Sequence, residues 1–259
     1  MRQLFPTPAD QVDVYQAYQP ADPSADLVRI NMVMAADGRI VDSEGVSGQL
    51  GGAGDTQSFF AMRHVADGIV AGAGTVRAEG YGPMKIRENW RARREADGRV
   101  APAAIVVVTR SMDLDVSGRL FTQAVTPTIV LTTANAPMGQ VQAIRDRGGV
   151  VIQAGQDDVD LGTGLRVLRE DHGLSHLLLE GGPTLNGQVI AAGLADELCL
   201  TLAPTLAGGP DSKRIVDGLV GRRDLILLRV LEADGELLLT YRLAQNNRSS
   251  SDSMPRNSL

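Results

Sequence analysis

The sequence holds one cysteine, Cys199, among 259 residues, which excludes an internal disulfide and a cysteine-rich metal site. Aromatic residues make up 3% of the chain, too few for the stacking platforms of single-strand nucleic-acid binders. No apolar run approaches the roughly 18 residues needed to cross a bilayer, so no membrane association is expected. The first residues, MRQLFPTPADQVDVYQ, lack the continuous apolar stretch of a signal peptide and read as a cytoplasmic start. Excess positive charge is missing too. The 25 Lys and Arg against 31 Asp and Glu give −6, the wrong sign for a nucleic-acid-binding face. A local basic pocket for a phosphorylated small molecule stays compatible with that balance. His64, His172 and His176 lack zinc-site spacing, and no metal is expected. A Gly-x-Ser-x-Gly elbow and a Walker A loop are also absent. Cys199 falls mid-strand and reads as inert core.

What is present is ordinary globular composition, 43% hydrophobic and 22% charged. Apolar runs of strand length fall at 28–34, 68–73, 104–109, 128–132, 150–153, 176–180, 197–202, 224–232 and 236–242. Runs such as AIVVVT and HLLLEG are continuous, as expected of strands covered on both faces. Helical patterns lie between them. One begins near Asp55, read as its cap, with Phe59, Met62 and Ala66 on one face; others carry Val141 and Ile144, then Leu161, Leu165 and Leu168, then Leu185, Val189 and Ala192. The last two strands flank Asp234-Gly235, a hairpin turn. This order predicts one α/β domain over 27–243, with a mainly parallel central sheet flanked by helices and an antiparallel C-terminal hairpin. Residues 1–26 are expected to wrap the surface as an N-terminal extension, and 244–259 to form a disordered tail.

Three strand ends carry candidate chemistry. Glu180-Gly181-Gly182-Pro183-Thr184-Leu185 leads a buried-type strand into a helix, which makes either a plain βα turn or a diphosphate cradle of backbone N–H groups. Gly72-Ala73-Gly74-Thr75 lacks the third glycine of the dinucleotide fingerprint, so Thr75 is either a phosphate contact or a cap. Arg110 and Ser111 can meet a ribose 2′-phosphate or be structural. The three converge, because open α/β sheets bind ligands beyond the carboxyl ends of their strands. Glu180 closes a buried strand and must be paired with a cation or a ligand, or be solvated at the sheet rim. Asp37 reads as a turn residue unless a substrate lies there, and Arg63 as a surface cation or a phosphate grip. Arg87, Arg91, Arg93 and Arg94 around Trp90 read as a solvated face.

Several segments in order resemble the pyrimidine reductase domain of RibD. They are Asn31-Met32-Val33-Met34-Ala35-Ala36-Asp37-Gly38-Arg39-Ile40, Met62-Arg63-His64-Val65-Ala66-Asp67, Gly72-Ala73-Gly74-Thr75-Val76-Arg77-Ala78-Glu79 and the Glu180–Leu185 turn. The resemblance spans nearly the whole core and implies a dihydrofolate-reductase-like fold, NADPH as cofactor and a homodimer. The implied reaction reduces the ribosyl group of 5-amino-6-(5-phosphoribosylamino)uracil to ribityl. By matching position it implies cofactor contacts at Met34, Gln49, Thr75, Glu79, Gly181, Gly182, Pro183, Thr184 and Leu185, and substrate contacts at Ser47, Arg63 and Glu180. The proton donor stays open between Asp37, Glu180 and water.

The departures also matter. The zinc-deaminase signatures of bifunctional RibD are absent, so a reductase-only chain is expected. Asn31 stands where the family usually has Lys, Ala35-Ala36 where it has Ser-Leu, and Gln49 where it has Trp. Glu79-Gly80-Tyr81-Gly82-Pro83 replaces Asp-Asp-Pro. These changes border the substrate side, which keeps two alternatives in view: reduction of another heterocycle, such as a dihydrofolate-like pteridine, and a non-catalytic nucleotide-binding relative.

Overall fold

The computed structural model describes residues 1–42, 47–209 and 213–244. The expected tail from 245 onward lies outside the described residues. In chain order the strands are β1 (Arg2–Phe5), β2 (Leu27–Ala35), β3 (Gly68–Gly72), β4 (Ala104–Val108), β5 (Ile129–Thr132), β6 (Val150–Gln153), β7 (His176–Leu179), β8 (Glu197–Ala203), β9 (Leu225–Ala233) and β10 (Glu236–Leu243). The helices are α1 (Val14–Ala17), α2 (Ala53–Val65), α3 (Ala73–Ala78), α4 (Glu88–Ala96), α5 (Arg119–Thr122), α6 (Met138–Asp146), α7 (Leu161–Glu170) and α8 (Pro183–Ala191).

The strands form one sheet in the order β1-β9-β10-β8-β2-β7-β3-β4-β5-β6. Pairings from β8 to β6 are parallel and those from β1 to β8 are antiparallel. The α/β class, the mainly parallel centre and the terminal hairpin are therefore as expected. Alternate residues of each central strand face opposite helix layers. On β3, Val70 joins Leu165 and Leu168 of α7 and Val189 of α8. Ile69 and Ala71 join Val141 and Ile144 of α6 on the other face. Fully burying one such aliphatic side chain stabilises the fold by roughly 1.5–3 kcal/mol, which is why both faces must be apolar. Asp234 (φ 53°) and Gly235 (φ 84°) make the β9–β10 turn, both in the left-handed region that a tight hairpin requires.

The structure corrects several expectations. Gly52, not Asp55, occupies the N-cap of α2. Glu236 on β10 accepts from Gly52 N at 2.6 Å and from Asp55 N at 3.1 Å, so a buried carboxylate from a neighbouring strand satisfies the helix's open amides. The core face of α2 is Ala61, Met62 and Val65, against Leu178, Cys199 and Leu238; Phe59 turns toward a cleft instead. Arg94 is buried rather than solvated, donating to the carbonyls of His64, Ala66 and Ala101. Burial lowers its pKa to about 10, a cost the carbonyl cage offsets by accepting its fork of donors. Residues 1–26 extend the sheet through β1 and bury Val14, Tyr15 and Tyr18 against α2. Cys199, by contrast, is buried core as expected, with its thiol pushed up to about 11 by that burial.

Candidate active site

The carboxyl ends of β2, β7 and β3 lie side by side, and a cleft of about 1360 Å³ opens beyond them. Its walls come from β2, α2, α3, the loop after α3, the β7–α8 turn and residues 213–219. Thr75, Glu79, Ser47, Arg63, Glu180, Gly182, Pro183 and Thr184 all line it, although the sequence scatters them over more than a hundred positions.

At one wall, β7 turns into α8. Gly181 sits at φ +93°, a conformation that disfavours a side chain, and its carbonyl accepts from Gly72 N at 2.8 Å. That bond ties the start of α8 to the start of α3. A Cβ built on Gly182 would lie 3.0 Å from Thr75 Oγ1, so the two helix starts approach as closely as glycine permits. Pro183 occupies N1 of α8, where its missing N–H costs nothing. The following first-turn amides have no intrahelical acceptor and point along the positive end of the helix dipole. Those open amides and the dipole end are the features with which a helix start can hold an anion.

In the same cleft, Arg63 reaches from α2 to Glu180 at the end of β7. Nε donates to Oε1 at 2.7 Å and Nη2 to Oε2 at 2.6 Å. The Tyr81 hydroxyl donates to Oε2 at 2.5 Å. Of the readings open for Glu180, pairing with a cation is the observed one. The Arg63 guanidinium also stacks over the Phe59 ring, 4.2 Å from its centroid. Burial works most strongly against the Arg63 cation, but the charge and hydrogen bonds of Glu180, with Tyr81 beside it, together outweigh it and the pKa moves up. The Tyr81 hydroxyl is pushed well above its ordinary value by burial and by Glu180.

Ser47 Oγ donates to Glu79 at 2.8 Å on the exposed rim, which joins a residue assigned to substrate with one assigned to cofactor. The other sequence candidates lie off the lining. Met34 packs on the core, Leu185 is buried in it, and Gln49 is exposed. Gly181 backs the start of α8 without lining the cleft. Arg110 is exposed beyond β4 and pairs with Asp158 at 2.9 Å, with Ser111 beside it. Asp37 accepts from Gly208 N at 2.9 Å, and that bond lowers its pKa.

Sequence reasoning gave Asp55 only the role of a helix cap and gave Lys213 and Arg214 none, yet all three line the cleft. Tyr81 stood out only as a departure, because nothing in the sequence signals a bond across 99 positions.

The chain matches the RibD C-terminal domain family over residues 26–239. It belongs to that family. The 2,5-diamino-6-ribosylamino-4(3H)-pyrimidinone 5′-phosphate reductase of Methanothermobacter thermautotrophicus is 31% identical over 191 residues, 74% of this chain and 83% of that protein. RibD of Mycobacterium tuberculosis is 27% identical over 175 residues, 67% of this chain and 41% of that protein. A pyrimidine reductase-like protein of Corynebacterium diphtheriae superposes with a TM-score of 0.79 at 25% identity, covering 91% of this chain and 100% of the other. The fold is thus that of RibD reductase domains, and its relatives are named reductases.

Proposed function

We propose that this chain reduces the ribosyl group of a 6-ribosylaminopyrimidine 5′-phosphate to ribityl in riboflavin synthesis, using NADPH. The observation that carries this reading is a shared cleft: the Gly182–Thr184 helix start and the Arg63–Glu180 pair face one cavity. The Methanothermobacter relative is named for a substrate of this class.

The residues fit the cofactor. Gly182 leaves open the space a side chain would fill, and the α8 amides suit a diphosphate. A reduced nicotinamide held there supplies the hydride. In the substrate, the opened sugar is an imine; C1′ gains the hydride and the nitrogen gains a proton. Glu180, fixed by Arg63 and Tyr81, accepts from an N–H or hydroxyl of the substrate, and that fixed geometry is its contribution to rate. Arg63 keeps Nη1 for the 5′-phosphate. Lys213 and Arg214, which make no ion pair among the described residues, add positive charge at the rim. Arg110 and Ser111 serve the 2′-phosphate, since an exposed pair such as Arg110–Asp158 is worth only about 0–1 kcal/mol and is readily exchanged. Thr75 and Glu79 hold the cofactor side. A cytoplasmic homodimer completes the reading, with sedimentation as its check.

The test is NADPH oxidation with the pyrimidine phosphate, product mass included, and with the same compound dephosphorylated. Consumption with the phosphate, and much slower reaction without it, is the expected result. NADPH that is neither bound nor consumed removes the reading.

A further inference from the structure

We infer that Asp55 reads the hydrogen-bonding edge of the pyrimidine and selects a 2-amino ring over a 2-oxo ring. This rests on the reductase reading above. Of the ionisable side chains lining the cleft, Arg63, Tyr81 and Glu180 bond to one another, and Glu79 accepts from Ser47. Lys213, Arg214 and Asp217 are exposed at the rim. Asp55 differs from all of these. It is half-buried in the first turn of α2, and its side chain faces the cleft. Its own backbone N–H is held by Glu236 at 3.1 Å, which pins the turn that carries the side chain.

Asp55, Phe59 and Arg63 follow one another at i, i+4 and i+8, the spacing of one helix face, and all three line the cleft. That face presents an acceptor, a flat ring and a cation over about 12 Å of helix. The order suits a molecule with a heterocycle at one end and a sugar phosphate at the other. Burial and the Glu236 charge raise the Asp55 pKa, as expected of a carboxylate short of donors.

The ring chemistry sets the choice. A 2-amino-4(3H)-pyrimidinone offers N3–H and 2-NH₂ side by side, two donors for the two oxygens of one carboxylate. A uracil offers N3–H beside C2=O, so the second carboxylate oxygen meets another acceptor. An amide, with one acceptor and one donor, fits the uracil edge instead.

The experiment measures binding of the 2-amino and 2-oxo ribosylaminopyrimidine phosphates to the wild type and to Asp55→Asn by calorimetry, with kcat/KM alongside. The wild type should prefer the 2-amino ring by roughly ten- to a hundredfold, the range for a hydrogen bond to a charged group. The variant should lose or invert that preference. Each ratio compares two ligands on one preparation, so a partly folded variant does not distort it. An unchanged ratio in the variant overturns the inference, as does a wild type that prefers the 2-oxo ring or binds neither. A wild type that binds the 2-amino ring selectively yet consumes no NADPH removes the reductase reading and leaves the assignment of Asp55 intact.

Discussion

Arg63 and Glu180, 117 positions apart, meet through two parallel hydrogen bonds of 2.7 and 2.6 Å at the end of the central strand β7. Arg63 is therefore no free cation waiting for phosphate: Nε and Nη2 are engaged before any ligand arrives. The pair also explains how a glutamate ends a strand whose other residues are apolar. Its charge is neutralised by a fork geometry that matches a carboxylate.

Glu180→Ala should therefore cost stability as well as activity. It strands a largely buried guanidinium, and breaking a buried pair from one side costs roughly 3–5 kcal/mol. The Arg63 side chain is 17% exposed and Glu180 4%, so water relieves some of this and the lower end applies. Urea unfolding measures the loss, and the double variant Arg63→Met/Glu180→Leu should recover much of it. A single-variant loss of no more than about 1 kcal/mol, as for a surface pair, contradicts the assignment.

Tyr81→Phe removes the third donor to this carboxylate. We expect a loss of about 1.5–3 kcal/mol, the range for a hydrogen bond to a charged group. The loss should be coupled to Glu180→Gln in a double-mutant cycle. Strict additivity would mean that Tyr81 is held by packing alone.

Acid should destabilise the fold through two histidines. His64 Nδ1–H donates to the Phe60 carbonyl at 2.6 Å while Nε2 accepts from Arg87 N at 3.0 Å. His176 Nε2–H faces the Ala25 carbonyl at 3.1 Å while Nδ1 accepts from Arg99 at 2.5 Å. Each ring is used as the neutral form, and burial lowers both pKa values below 6.5. The unfolded chain therefore takes up protons first as pH falls. Stability from this source is complete above about pH 6.5 and declines as pH drops through the folded values. Urea midpoints between about pH 7 and pH 5 should fall, and fall less steeply in His64→Gln. A midpoint that holds constant or rises in acid refutes the proposed tautomers.

Much of this was legible in the sequence because it depends on local pattern. The doubly covered strands β4 and β7 are continuous apolar runs, and Pro183 and Asp234-Gly235 mark a helix start and a hairpin turn on backbone grounds. What sequence missed is held by distant partners. β1 has an unremarkable RQLF pattern and exists through pairing with β9. Arg94 looks solvent-bound until three carbonyls surround it. Asp55 has the position of a cap, yet a carboxylate 181 positions away takes that role. The same holds at the site: Ser47, Arg63, Thr75, Glu79 and Glu180 were named individually, but the Tyr81–Glu180–Arg63 network exists only after folding.

Gly182→Val tests the cofactor wall. Gly182 has φ −76°, so a side chain there is not strained by the backbone. The added atoms would instead meet Thr75 Oγ1, 3.0 Å from the ideal Cβ position, and fill the approach to the α8 amides. The variant should melt below the wild type, because Thr75 must be displaced, and should lose NADPH affinity as well. A ligand at a hundredfold excess over its Kd stabilises the fold by about 2.7 kcal/mol, so NADPH should raise the melting temperature of the wild type and leave the variant nearly unmoved. Gly139→Ala on α6 is the control, since nothing lies within 4 Å of its Cβ position; it should respond to NADPH as the wild type does. An equal NADPH response from Gly182→Val moves the diphosphate away from α8, because no anion can use those amides with a branched side chain standing over them.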